Sequence, residues 1–538
     1  MSNYSYRVFL ALCSVFLAGC VLLFVVNTWW WPLMGDAGLM HYIVFLMDHG
    51  MAPYRDIVDP NLPATLMIES AVMHGFGGGS LVWRLFDLGL LAVTGAAMLS
   101  IARPYGWFAG LFAASLFALV HGRDGVMMLG QRDLTMTACL TISYAFLFAA
   151  LRGRRGVWSI AWRMAAFGFF CAAAGMIKPS VALLPVVLVV MAAVRLRRRG
   201  QRWLGPVLFS TAGALVPIVL CLVWVWRRQA GAAFFAMLFE LIPYFAHLGA
   251  RSLGHLVLHS IYGVLLPVVL VWAVMVGLQV WVWKVDWLSW ERAALLVGMC
   301  FGLASFYMQR KGYPYHRYPS EAFLLLLAGI EFTSVFHGRL GRGEASESKP
   351  RRHWGDRRVL LERLAAAGIL LGTVLVAGGC TAHALRQDWR NHEFDSMLQA
   401  DLNRLGGHAL DGRVQCLDMG DGCIPTLYNM RMVQATGFLY DCYMFSTVEG
   451  AERERYREAF WKAIAQRPPE VFVVTSNDCE IYPEKPSYHY QKMGRWPQFE
   501  QYLMANYRLE AERVPPHMVN TGSSPSKPLG YRIYVWNH

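Results

Sequence analysis

Gly35-Asp36-Ala37-Gly38 and, after a run of mostly apolar residues, Pro53-Tyr54-Arg55-Asp56-Ile57-Val58-Asp59-Pro60-Asn61-Leu62-Pro63 form the stretch on which the reading of this chain turns. It follows a hydrophobic segment, 8–28, that is long enough to cross a bilayer at about 17 to 25 residues per span. Asp36 stands a few residues beyond that segment, and Arg55, Asp56 and Asp59 follow. Ionisable groups where lipid meets water are placed where a lipid-borne substrate can meet a soluble one.

The rest of the composition agrees with a membrane setting. The chain has 538 residues, of which 56% are hydrophobic and only 16% charged. That balance is too apolar for an ordinary soluble protein. The net charge of +13 is not a nucleic-acid footprint, because its densest clusters are short loops between apolar runs: Arg152, Arg154 and Arg155, then Arg195, Arg197, Arg198 and Arg199, then Arg339 to Arg358.

Spans can be drawn at 8–28, 81–102, 105–121, 133–150, 159–177, 179–194, 203–226, 256–283, 291–308, 319–336 and 359–380. The run 159–194 would be roughly 54 Å long as a single helix, so it must turn back, at Lys178-Pro179-Ser180. The three basic loops are separated by two spans and then by four, so all lie on one face. By the positive-inside rule that face is the cytoplasm. The expected architecture is therefore an α-helical polytopic membrane protein of about eleven spans, with its N-terminus inside and everything after Cys380 outside. The stretch 64–76 carries Glu69 and His74 behind two prolines and is expected as an amphipathic helix at the outer interface. Leu17-Ala18-Gly19-Cys20 resembles a lipoprotein processing box, but the apolar run continues through Val26, which favours an uncleaved first span.

With that orientation, the outer face collects Asp36, Arg55, Asp56 and Asp59, then Arg123, Asp124, Gln131, Arg132 and Asp133, then Lys178. Glu240, His247 and Arg251 follow in the aromatic loop 227–255, then Lys311, His316, Arg317 and Glu321. Outer loops are normally poor in Lys and Arg, so cations gathered there point to an anion on that side. The plainer reading is a set of interfacial anchors with aromatic neighbours and local Asp–Arg neutralisation.

Beyond Cys380 charged residues become frequent and long apolar runs cease. Two domains are expected: 1–380 in the membrane, and 381–538 as a soluble α/β domain on the outer face. Strands are expected at 414–417, 470–475 and 531–536, and helices at 453–465 and 499–507. Cys416, Cys423, Cys442 and Cys479 are an even set in an oxidising compartment and suggest disulfides, with three connectivities open. No phosphate loop, dinucleotide fingerprint or zinc motif is present, and Gly77-Gly78-Gly79 reads as a linker.

The stretch Gly35-Asp36 with Pro53–Pro63 resembles the first outer loop of the C-type (GT-C) integral-membrane glycosyltransferases. Gly130-Gln131-Arg132-Asp133, Gly175-Met176-Ile177-Lys178-Pro179 and Gln309-Arg310-Lys311-Gly312-Tyr313-Pro314-Tyr315-His316 are similar to elements of bacterial members. The resemblance is greatest to the polyprenyl-phosphate-sugar branch, which includes protein mannosyltransferases, the lipid A aminoarabinose transferase and arabinofuranosyltransferases. Those relatives often have adjacent acids after the first span. Here Ala37 follows Asp36, which leaves a second acidic role to Asp56, Asp59 or Asp133.

The resemblance implies an inverting glycosyltransferase at the outer face of a bacterial inner membrane, with a polyprenyl-phosphate sugar as donor and a glycan, lipid or protein hydroxyl as acceptor. It implies Asp36 as general base and Arg55, Arg132, Lys178, Lys311, His316 and Arg317 around the donor phosphate. Asp56, Asp59, Asp133 and Glu240 are left to position the acceptor. No metal ligands are implied, and a divalent cation is left open. Two other readings stay open: a transporter or flippase of lipid-linked sugars, and a ligase or polymerase using a diphosphate-linked donor.

Overall fold

A computed structural model of the chain describes residues 3–152, 156–261, 264–283, 287–337, 357–386, 393–420, 422–478, 490–515 and 529–538. The basic loop 339–356, Arg154, Arg155 and Cys479 lie outside the described residues. The chain forms two compact units. One comprises Met1–Trp29, Leu85–Leu220 and Ser252–Arg386, the other Trp30–Arg84, Cys221–Arg251 and Gln387–His538.

The first unit is helical. Among the described residues, nine helices of the chain are long and apolar enough to cross a membrane, from Ser5–Asn27 to Val359–Leu385. This is a multi-pass membrane protein. Helices also occupy the expected spans 105–121 and 256–283, but Trp107–Asp124 ends on His121, Arg123 and Asp124, and Leu265–Trp283 is shorter than its expected span. The turn expected in 159–194 is present: Val157–Ile177 stops before Lys178, a 3₁₀ turn spans Pro179–Val181, and Leu184–Arg198 follows. Proline at 179 explains the break, since the residue before it is driven out of helical backbone.

Helix Tyr318–His337 is central in this unit, with its span wholly buried between Trp107–Asp124, Trp290–Gln309 and Leu265–Trp283. A buried helix in lipid can keep polar residues only when neighbours satisfy them. Accordingly Glu331 accepts two bonds from Arg292, at 2.7 and 3.1 Å, and one from Gln279 at 2.7 Å. Glycines admit close helix approach elsewhere: a Cβ on Gly302 would stand 2.4 Å from the Ser320 nitrogen, and Gly168 and Gly213 face the backbones of Ser210 and Ala165.

The second unit holds a four-stranded sheet in the order β1-β2-β4-β3. β1 (Val414–Leu417) and β2 (Val471–Thr475) are parallel, while β4 (Tyr531–Trp536) is antiparallel to both β2 and β3 (Tyr507–Arg513). β1 and β2 are fully buried and mostly apolar, interrupted by Gln415 and ending on Thr475. β3 was not expected. Its sequence, Tyr-Arg-Leu-Glu-Ala-Glu-Arg, is rich in helix formers, and it serves as an edge strand with charged residues on the exposed side. The helix expected at 499–507 is Pro497–Asn506, giving up Tyr507 to that strand.

Cys416 and Cys423 form a disulfide between β1 and helix Cys423–Asn429, and Cys442 is also disulfide-bonded. Also in this unit are helices Asp36–Asp48 and Pro63–Phe76 and the helical run 231–247. The first of these helices and the loop after it are fastened to the C-terminal segment: Tyr42 OH bridges Met432 O at 3.0 Å and Gln434 N–H at 2.7 Å, and Val58 N–H donates to Gly437 O at 3.0 Å. A side chain at Gly437 would collide with the Asp56 carbonyl.

Candidate active site

In the first unit, Arg132, Lys178, Lys311 and Arg317 are close enough to act electrostatically on the ring of His316. Each arrives by a distinct local device. Arg132 and Asp133 open helix Arg132–Leu151 just after Gly130, whose φ of 58° is available to glycine at little cost. Lys178 sits at the break before Pro179. Lys311 lies between Arg310 and Gly312, at φ values of 53° and 75°, in the short turn that ends helix Trp290–Gln309. His316 and Arg317 close the 3₁₀ turn Pro314–Arg317.

Specific partners hold these groups. Lys178 Nζ donates to Gln309 Oε1 and reaches Asp133 Oδ2, both at 2.6 Å. Arg317 donates to Asp124 Oδ2 at 2.9 Å. The His316 ring is wedged against Tyr315 with centroids 4.6 Å apart, and its buried Nδ1 has no hydrogen-bond partner among the described residues. Burial pushes Lys311 from its ordinary 10.5 down to about 7.

Behind this cluster runs a buried chain absent from the sequence reading. Asp87 accepts from Gly130 N–H at 2.8 Å, and its other oxygen lies 3.2 Å from His121 Nε2. His121 Nδ1 lies 2.7 Å from the Tyr318 hydroxyl. An ionised carboxylate can only accept, so Nε2 carries the proton that faces Asp87. This chain joins the turn before Arg132 to the residue after Arg317. The signal for it was an ionisable residue inside an apolar span, Asp87 within 81–102 and His121 at the end of 105–121.

Asp36, Arg55, Asp56, Asp59 and Glu240 belong to the second unit. Asp36 is half-buried in the first turn of helix Asp36–Asp48, behind Gly35 at φ 56°. Asp56 accepts from Ala52 N–H and is gripped by the exposed Arg55 guanidinium at 2.7 and 3.0 Å, which holds its carboxyl below the usual range. Asp59 is buried and accepts from Asn61 N–H at 3.1 Å and Asn61 Nδ2 at 2.7 Å. Glu240 forms an exposed pair with Arg455.

Sequence reasoning also missed His41. Its Nδ1 lies 2.5 Å from Glu69 Oε1, with both side chains buried, and its ring stands edge-on to Trp83 and Tyr428. Gly78, read as linker, packs against Tyr428: a Cβ there would fall on the tyrosine hydroxyl. Among the described residues, no group of three or more His, Cys, Asp or Glu side chains is arranged to hold a metal ion.

No family model matches the sequence, and no curated protein matches it. Solved structures do match over the whole length. ArnT from Cupriavidus metallidurans bound to undecaprenyl phosphate is 13% identical, with 96% of this chain and 97% of that chain covered and a TM-score of 0.56. The same protein in the apo state is 15% identical, with 99% and 98% covered and a TM-score of 0.56. The fold is GT-C-like. The Archaeoglobus fulgidus oligosaccharyltransferase tethered with an acceptor peptide is 12% identical, with 98% of this chain and 74% of that chain covered and a TM-score of 0.51. The resemblance read from the first outer loop and three short motifs therefore holds at the level of the fold.

The His41–Glu69 pair ties helix Asp36–Asp48 to helix Pro63–Phe76, as does the exposed pair of Asp48 with His74 at 3.0 Å. Stranding one partner of a buried pair costs about 3–5 kcal/mol, whereas an exposed pair contributes about 0–1 kcal/mol. Thermal unfolding in detergent should therefore show a large loss for Glu69→Ala and almost none for Asp48→Ala. Equal shifts would mean that the buried pair is not the clamp.

Proposed function

We propose that this protein is an inverting glycosyltransferase that moves a sugar from a polyprenyl-phosphate donor to an acceptor hydroxyl at the outer face of a bacterial inner membrane. The observation that carries the reading is the gathering of basic groups at the turn Pro314–Arg317: Lys178 Nζ stands 5.8 Å over the ring of Tyr315, which packs on His316 at 4.6 Å, with Arg317 beside it and Arg132 and Lys311 near enough to act on the same ring. Basic side chains gathered at one turn match a phosphate better than they match a neutral solute. The ArnT neighbour bound to undecaprenyl phosphate supports the class of donor.

In the proposed step Asp36 takes the proton of the acceptor hydroxyl as its oxygen attacks the anomeric carbon. The bond from that carbon to the phosphate oxygen breaks, and its electron pair leaves with the polyprenyl phosphate. Arg132, Lys178, Lys311 and Arg317 stabilise the charge gathered on the leaving group, with His316 as hydrogen-bond donor. Asp133 orients Lys178. Arg55 is proposed as a further phosphate ligand, and Asp56, Asp59 and Glu240 as groups that shape the acceptor side. The acceptor is a glycan, lipid or protein hydroxyl.

A general base contributes about 10² to 10⁴ in rate. Asp36→Asn should therefore lose transfer from a lipid-phosphate sugar by about that factor while its thermal unfolding stays unchanged, and Lys178→Ala and Arg132→Ala should chiefly weaken the donor interaction. Wild-type turnover in Asp36→Asn alongside dead Asp56→Asn or Asp59→Asn would move the base to the second acidic group. Full activity in every variant would remove all three acids as the base, and no transfer by the wild-type protein would favour a transporter of lipid-linked sugars.

Lys311 gives a pH signature. With its ammonium pushed down to about 7 by burial, its charge is present below that pH and lost above it. The donor KM should rise as pH increases through 7 to 9, and Lys311→Arg, charged throughout, should flatten the profile. An unchanged profile in Lys311→Arg would remove Lys311 from the phosphate site.

The proposed orientation has the N-terminus cytoplasmic, with 1–380 as the membrane domain and 381–538 outside. A reporter fused after Thr381 should behave as extracytoplasmic and one inserted between Arg342 and Arg351 as cytoplasmic. Both on one side would overturn the placement.

A further inference from the structure

The helical run 231–247 is apolar on two opposite sides. Phe234, Met237, Leu241 and Tyr244 point into the core of their own unit, where the Tyr244 hydroxyl lies 3.1 Å from Tyr443 O and 2.9 Å from Ser446 Oγ. On the other side Phe235 and Phe239 are 54% and 74% exposed. Their rings are stacked, with centroids 6.5 Å apart and planes within 6° of parallel. The π turn Met237–Leu241 widens the helix there, which keeps residues four apart closer to one line. Ala232, Pro243 and His247 continue the exposed stripe, and the one acidic residue of the run, Glu240, is turned aside to Arg455. A helix apolar all round is ordinarily covered all round.

What precedes the run identifies the cover. Helix Leu204–Arg227 is apolar enough to cross a membrane, and only Arg228, Gln229 and Ala230 separate it from Gly231. Its last turn presents Trp226, 83% exposed, and the Arg228 guanidinium lies 4.0 Å over the ring of Trp224. Tryptophan and arginine at the end of a span mark the headgroup level of a bilayer. The two phenylalanines thus follow nine and thirteen residues after Trp226, with rings that favour transfer out of water.

We propose that the Phe235–Phe239 face lies in the phospholipid bilayer at the boundary of headgroups and acyl chains, anchoring its unit to the membrane surface. The proposal is independent of the transfer reaction. Its test is photocrosslinking in the full-length protein, in nanodiscs of phosphatidylethanolamine and phosphatidylglycerol with a minor fraction of undecaprenyl phosphate. The crosslinker p-benzoylphenylalanine replaces Phe235 or Phe239 and, as a control, Glu458 on the exposed side of helix Ala451–Gln466. Adducts of phospholipid mass at 235 and 239 and none at 458 are expected. Absence of phospholipid adducts at both positions, or adducts made only with undecaprenyl phosphate or with a second copy of the chain, would overturn the proposal.

Discussion

Basic groups buried away from water lose their hydration, and that cost governs the first unit around His316, where Lys311, His316 and Arg317 are all buried. Four cationic side chains act on one buried imidazole, and the surrounding structure is arranged to tolerate them. Asp133 and Asp124 pair with Lys178 and Arg317. The Asp87–His121–Tyr318 chain then fixes the backbone on either side of the cluster.

The second unit solves a different problem. Asp36 and the acidic loop after it are separated by some hundreds of residues from the C-terminal sheet, yet Tyr42, Val58 and the Asp56 carbonyl are bonded or packed directly against residues 432–438. The loop's acids are spent largely on its own shape. Asp56 ties Ala52 and Arg55, and Asp59 ties Asn61, which leaves Asp36 at the opening of a helix clamped by His41 and Glu69.

What was legible in the sequence was whatever a local pattern encodes. The cations stood out because, in the orientation expected from the basic loops, Arg132, Lys178, Lys311 and Arg317 break the rule that outer loops are poor in positive charge. The reversal at Lys178-Pro179 followed from helix length and proline sterics. Strands β1, β2 and β4 announced themselves as short runs, the last two rich in β-branched and aromatic residues. What stayed hidden depended on partners distant in the chain. His41 is unremarkable in an apolar run until Glu69 is packed on it, and Gly78 reads as linker until Tyr428 closes on it. β3 has a helical composition and becomes a strand only because β4 offers it an edge. Asp87 and His121 could have been flagged as ionisable residues in apolar spans, but their connection through Tyr318 could not.

The central claim is that the cluster around His316 receives the phosphate of a polyprenyl lipid. It is tested most directly by an experimental density map of the full-length protein in nanodiscs with undecaprenyl phosphate. The account predicts phosphate density within hydrogen-bond reach of Arg132, Lys178, Lys311 or Arg317. Phosphate density seated away from all four would contradict it.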